Sequence, residues 1–252
     1  RTQQGNDRDY AELLKRLEEQ ERIPEPEKHI PPIDPAQSNP PSIPQFMQPQ
    51  NGFIYVPSAN VKIAKQRSIQ GKNWHDTHGE LQKQGLRMPT IYEFAEFLKY
   101  LKGNPNGLVD ASRQEVASIL DDILTVRDPW RAEWLDAQFQ EKKDGKMYIN
   151  YNHKLSKGKL VPQNSQELSS LMEDRKPGIS LDAWLNTFDR HGLPPKNISS
   201  GNLYYWHPRE NCVAGFWANS DRACLYCSRD PADSYSSLGV RIVASGASGS
   251  AK

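Results

Sequence analysis

Hydrophobic positions recur at helical spacing in five places along the chain. In "RDYAELLKRLEEQER", residues 8–22, Tyr10, Leu13, Leu14 and Leu17 share one face, and Glu12/Arg16 and Glu18/Arg22 pair four apart on the others. "PTIYEFAEFLKYLKG" opens with Thr90 and Glu93 at capping-box spacing, carries Phe94, Phe97, Leu98 and Leu101 on one face, and closes at Gly103. "SRQEVASILDDIL" repeats the device with Ser112 and Glu115 before a stripe of Val116, Ile119, Leu120, Ile123 and Leu124. "DPWRAEWLDAQFQ" predicts a helix with Asp128 as cap and Pro129 in the first turn. "SLDAWLNTFDRHG" predicts another, with Leu181, Trp184, Leu185 and Phe188 inward and Gly192 as its end. Strand-like runs are "GFIYV", "KMYINYN", "NLYYWHP", "CVAGFWA" and "LGVRIVA", the last three separated by turn-rich loops. The predicted class is α+β without internal repeats.

Between the first helix and the rest lies "IPEPEKHIPPIDPAQSNPPSIPQFMQPQ", whose prolines forbid helix interior and central strand. Residues 1–50 therefore read as a helix followed by an extended Pro-rich strap, residues 51–245 as one folded domain, and "SGASGSAK" at 246–252 as a flexible tail. Lys and Arg number 32 against 31 Asp and Glu, and no basic run is interleaved with aromatics, which argues against nucleic acid as a partner. No apolar stretch has the length of a membrane span, and the opening residues lack the plan of a signal peptide.

Four chemistries compete for the polar residues. Cys224 and Cys227 have C-x-x-C spacing, which Cys212 and His207 would complete as a zinc set; a disulfide from Cys212 to either partner is an alternative. His75, Asp76 and His78 in "NWHDTHGE" offer a metal or proton-transfer trio, or a plain polar loop. No P-loop, dinucleotide fingerprint or nucleophile elbow is present. The fourth is a contact surface. Residues between Trp217 and Leu238 include no Lys, Gln, Glu, Met or Trp and are dominated by Tyr, Ser, Asn, Asp and Arg. Those types build adaptable binding surfaces, because Tyr gives large amphipathic area at low rotamer cost and the short polar residues supply hydrogen bonds. They also dominate ordinary turns.

"RMPTIYEFAEFL", with Arg87, Pro89, Thr90, Glu93 and Phe94, is followed far downstream by Gly215, Trp217, Cys224, Arg229, Pro231, Leu238, Gly239 and Arg241. In this order the residues resemble the formylglycine-generating-enzyme-like branch of the C-type lectin fold. The resemblance covers about fifty residues and matches nothing between Gly103 and Ser200. In that branch the oxidases use two cysteines; Cys224 fits the second, but Asn219 stands where the first falls, and an amide cannot replace a thiolate. The same terminal pattern is similar to variable proteins of diversity-generating retroelements, found in archaeal viruses and phages, whose adenine mutagenesis cannot reach the five missing residue types.

The resemblance implies a non-catalytic ligand-binding protein, receptor- or adhesin-like, displaying a hypervariable surface across about 203–238. Its contact residues would be Tyr204, Tyr205, Arg209, Asn219, Ser220, Arg222, Tyr226, Ser228, Asp230, Asp233, Ser234, Tyr235 and Ser236. Arg87, Gly215, Trp217, Cys224, Gly239 and Arg241 would be fixed scaffold, Trp217 as a large core anchor. The expected partner is a protein on a host or foreign cell surface, met at a virion or cell surface by a monomer or by an oligomer in a larger assembly. No cofactor or metal is expected. The alternative is an altered oxidase of the formylglycine-generating type, or a zinc-stabilised enzyme domain.

Overall fold

The computed structural model describes residues 52–169 and 171–244. The predicted helix at 8–22, the Pro-rich segment and the terminal tail lie outside the described residues. What is described is α+β and mostly sheet, as the periodicities suggest.

Strands β1 (Phe53–Val56), β2 (Val61–Ser68), β13 (Leu238–Ala244), β6 (Arg131–Glu141), β11 (Val213–Ala218), β12 (Ala223–Arg229), β10 (Leu203–Trp206) and β9 (Arg175–Ile179) follow one another in hydrogen-bonded order. β3 (Leu86–Arg87) adds to β13, while β7 (Met147–Ser156) and β8 (Lys159–Glu167) extend from β6 as a hairpin. Lys157 and Gly158 close that hairpin with φ of 50° and 76°, the left-handed pair a two-residue turn requires. Two further short strands, β4 (Gly107–Leu108) and β5 (Ala111–Ser112), pair separately. Most pairings are antiparallel, but β13 runs parallel to β6 and β10 parallel to β12.

Two of the predicted helices form by the local logic that predicted them. In α2 (Ile91–Gly103) the Thr90 hydroxyl accepts from the Glu93 N–H at 3.2 Å and the Glu93 carboxylate accepts from the Thr90 N–H at 2.8 Å. Its Phe94, Phe97, Leu98 and Leu101 are fully buried. α3 (Arg113–Leu124) has the same reciprocal cap from Ser112 and Glu115, and buries Val116, Ile119 and Ile123.

Three expectations are corrected. "NWHDTHGE" is not a loop: Asn73 Oδ1 accepts from the Asp76 N–H at 2.8 Å and caps α1 (Trp74–Lys83). The helix predicted from Asp128 is strand β6, entered through a cis Asp128–Pro129 bond. Both faces of that strand are buried: Ala132 and Trp134 join one apolar cluster, Leu135, Ala137 and Phe139 another. A short segment in which apolar and polar residues are mixed, with Ala132, Trp134, Leu135, Ala137 and Phe139 apolar, does not distinguish helix from central strand by period alone. α4 (Leu181–Thr187) stops short of Gly192, because Asp189 Oδ1 takes the N–H groups of His191 and Leu193, each at 2.9 Å, and turns the chain back.

Candidate functional site

The β10–β12–β11–β6 portion of the sheet has an inward and an outward face, and its register decides which residue belongs to which. Tyr204 pairs with Cys224, Cys224 with Trp217, and Trp217 with Ala132; Trp206 pairs with Tyr226, and Tyr226 with Gly215. Cross-strand partners share a face. The alternate set, Tyr205, Leu225 and Phe216, packs into the larger core. Tyr205 is 1% exposed and its phenol is pushed well above its ordinary pKa, chiefly by burial. It is therefore not a contact residue, which corrects its assignment and leaves Tyr204 as the outward member of the pair.

On the outward face a line of aromatic rings crosses the strands. Trp206 meets Tyr226 edge-on at 5.5 Å, Tyr226 lies 4.3 Å from Trp217, Trp217 is 6.3 Å from Trp130, and Trp130 meets Tyr235 edge-on at 5.6 Å. Two guanidinium groups cover the line. Arg222 sits 3.9 Å above Tyr204 and donates to the Pro177 carbonyl at 2.7 Å. Arg229 sits 4.5 Å above Trp217, within 6 Å of Trp130 and Tyr235, and pairs with Asp233 at 2.5 Å. Burial lowers the Arg229 pKa, and Asp233 pulls the other way. Trp217 is half-buried within this line and, with Trp130, packs against the smaller apolar cluster.

The remaining predicted contacts divide by what their side chains already do. Ser220, Ser234, Ser236 and Tyr235 are exposed, Tyr235 to 54%. Asn219 Oδ1 accepts from the N–H groups of Asp221 and Arg222, and Asp230 Oδ1 from that of Ala232, so both oxygens hold loop backbone. Arg209 is exposed and bound to Asp174 at 2.8 Å, in a cluster with His207. The Ser228 hydroxyl is enclosed, which removes it from the contact set. Trp130 and Trp206 belong to the face but escaped the sequence reading, and Arg229 was named there only as part of the resemblance. Alternation with Tyr204 marks Trp206, whereas nothing local marks Trp130.

Beneath the far end of the face lies a buried charge network. Arg241 reaches Glu133 at 3.2 Å and Asp122 at 2.9 Å, and Arg131 reaches Glu133 at 2.6 Å and Asp122 at 3.0 Å. Arg67 donates to the carbonyls of Ala132 and Ser237, both at 2.9 Å, tying the end of the 218–237 segment to β6. Burial alone would raise the pKa of Glu133, but Arg241 and Arg131 hold it below its ordinary value. Gly239 sits where a Cβ would come within 3.0 Å of the Ser68 carbonyl, and Gly215 where it would meet the Glu133 carbonyl at 3.1 Å. Arg87 makes a two-pronged pair with Glu93 at 2.5 and 2.7 Å. An open cleft of about 350 Å³ beside the network is lined by Lys65, Arg67, Glu115 and Asp122 among others, and by none of the predicted contact residues.

The proposed cysteine chemistry is not assembled. None of Cys212, Cys224 and Cys227 is in a disulfide, Cys224 and Cys227 are buried, and burial pushes the Cys227 thiol far up and that of Cys212 up. Among the described residues, the one gathering of three His, Cys, Asp or Glu ligand atoms within 4.8 Å is His78, Asp136 and His153, so His207 and the cysteines do not form a zinc set. His75 and Asp76, the other members of the predicted trio, are exposed. Burial drives the His78 pKa from 6.5 down to about 4 despite the Asp136 carboxylate nearby. Sequence reasoning missed this cluster, since Asp136 and His153 lie 58 and 75 positions beyond His78.

The geometry defines a class no finer than an α+β sheet protein presenting an aromatic and arginine face. No family model, curated protein or solved structure matches the chain. No helix among the described residues is long and apolar enough to cross a membrane.

Proposed function

We propose that the chain is a non-catalytic binding protein of the C-type lectin fold, in its formylglycine-generating-enzyme-like branch, with a surface diversified by a retroelement. The observation that carries the reading is the division of residues 203–238 between two faces. Inward residues Tyr205, Phe216, Leu225 and Cys227 pack in the core, whereas Tyr204 and Tyr226 are half-buried and Tyr235 is exposed, with Arg222 over Tyr204 and Arg229 over Tyr235. Tyr, Trp and Arg are the residues that concentrate binding energy when a partner desolvates them. The five residue types that adenine mutagenesis cannot reach are missing from 218–237, and the flanking glycines are fixed by close backbone contact. The partner is a protein on a host or foreign cell surface, bound through a few ring and guanidinium anchors with Ser220, Ser234 and Ser236 as adaptable rim. No reaction is assigned to the face.

A library test separates this reading from an ordinary surface. Tyr204, Ser220, Arg222, Tyr226, Ser234, Tyr235 and Ser236 are randomised together, and in parallel Phe216, Leu225 and Cys227. Most members of the first library should remain folded by proteolysis on a display platform, and most of the second should not. Equal intolerance of both sets would sink the proposal. In the genome, a near-identical repeat of this coding stretch beside a reverse transcriptase gene, differing at adenines, is the expected companion.

A further inference from the structure

His78, Asp136 and His153 come from three different elements and meet in the interior. His78 is the fifth residue of α1, Asp136 lies in β6, and His153 in β7. Their exposures are 0%, 0% and 4%. His78 Nε2 lies 3.6 Å from Asp136 Oδ1, and His153 Nδ1 lies 2.5 Å from the same oxygen. Trp74 walls the group, with its ring 4.3 Å from His78 and 5.0 Å from His153, and is fixed by donating to the Leu135 carbonyl at 3.0 Å. Asp136 is held from two further sides: its N–H donates to the Pro89 carbonyl at 2.8 Å, and its Oδ2 accepts from the His153 N–H at 3.0 Å.

Within this enclosure three nitrogen atoms have no hydrogen-bond partner: both ring nitrogens of His78, and Nε2 of His153. An imidazole always carries a donor or an acceptor at each nitrogen, so enclosing it without partners is unfavourable unless something else fills the gap. Two imidazoles and a carboxylate, converging from rigid elements, match the donor set of a first-row divalent ion.

We propose that His78, Asp136 and His153 bind a divalent transition-metal ion of the zinc type, which fastens α1 to β6 and β7. Two nitrogen donors among three disfavour calcium or magnesium, which take oxygen ligands. Bonds near 2.0–2.1 Å put tetrahedral ligand atoms roughly 3.3 Å apart. The His78–Asp136 separation is close to that, and His153 must withdraw from Asp136 by somewhat under an ångström. Coordination through His78 Nε2 and His153 Nδ1 keeps each ring proton on the other nitrogen, so the ion itself satisfies one of the three unpartnered atoms, His78 Nε2. The fourth position takes water, and an open cleft of about 480 Å³ lined by Gln82, Arg87, Asn152, His153, Lys154 and Asn164 borders His153. The nearby charge of Arg87, which adds repulsion for a cation, is neutralised by its pairing with Glu93.

The test uses the untagged full chain, stripped with chelator and titrated with Zn²⁺ and Co²⁺. One ion per chain should survive desalting. Co²⁺ should give the visible absorption of a four-coordinate nitrogen and oxygen site, no near-ultraviolet thiolate band, and two paramagnetically shifted imidazole N–H resonances. His78→Phe, which fills the space beside Trp74 with an apolar ring, should abolish stoichiometric binding, while exposed His75→Ala should leave it intact. Asp136→Asn should weaken binding by at least about tenfold. Less than a tenth of an equivalent bound by the stripped wild-type chain, a thiolate band, or undiminished binding by both His78→Phe and Asp136→Asn would each overturn the proposal. If neither variant folds, the wild-type stoichiometry and the count of shifted imidazole resonances decide it: two uphold the site, and none or one refutes it.

Discussion

Glu133 is fully buried between Arg131 and Arg241, so its charge is tolerable only while both guanidinium groups remain. Glu133→Gln strands excess positive charge in the interior and should cost about 3 kcal/mol, read from urea denaturation. Ser236→Ala, on the exposed rim, should change stability by less than about 0.5 kcal/mol. Glu133 also predicts a pH dependence. Its pKa in the folded chain is held below the ordinary 4.5, as that of Asp122 is held below 3.8. The unfolded chain therefore binds protons first as pH falls, and the stabilisation present above about pH 4.5 should fade below it. The loss should be shallower in Glu133→Gln; identical acid profiles for the two chains would show that the carboxylate carries no such linkage. Arg241 and Arg87 were legible as scaffold through resemblance alone. The partner of Arg241 was not, because Glu133 stands 108 positions before it and no local pattern connects them.

At the scale of elements, the contrast lies between helices that announce themselves and strands that do not. α2 and α3 were readable because the cap, the stripe and the stop all lie within one short window, where the forces are local. Thr90→Ala should accordingly cost about 1 kcal/mol, measurable as a shift in the denaturation midpoint. β12 was read as part of a turn-rich loop, since Ala223–Arg229 mixes small, polar and aromatic residues. Its existence depends on β10 and β11 supplying hydrogen bonds on both edges. Leu225→Ala, which empties a fully buried site on that strand, should destabilise by about 2–5 kcal/mol. A loss under about 0.5 kcal/mol would mean that the strand is peripheral to folding.

Across the whole molecule, β6 contributes to both apolar clusters, Ala132 and Trp134 to one and Leu135, Ala137 and Phe139 to the other. The two should therefore unfold together, and tryptophan fluorescence and far-ultraviolet circular dichroism should trace one coincident transition. Separate midpoints would show that the clusters are independent units. By itself the sequence determined the α+β class, the capped helices and the confinement of a particular set of residue types to 218–237, because each rests on composition or on contacts a few residues apart. Tertiary structure alone decided that residues 131–141 form a central strand and that Tyr204 faces out while Tyr205 faces in. It also decided that His78 meets Asp136 and His153. Burial and strand register are set by partners far away along the chain, and no local period encodes which partners those will be.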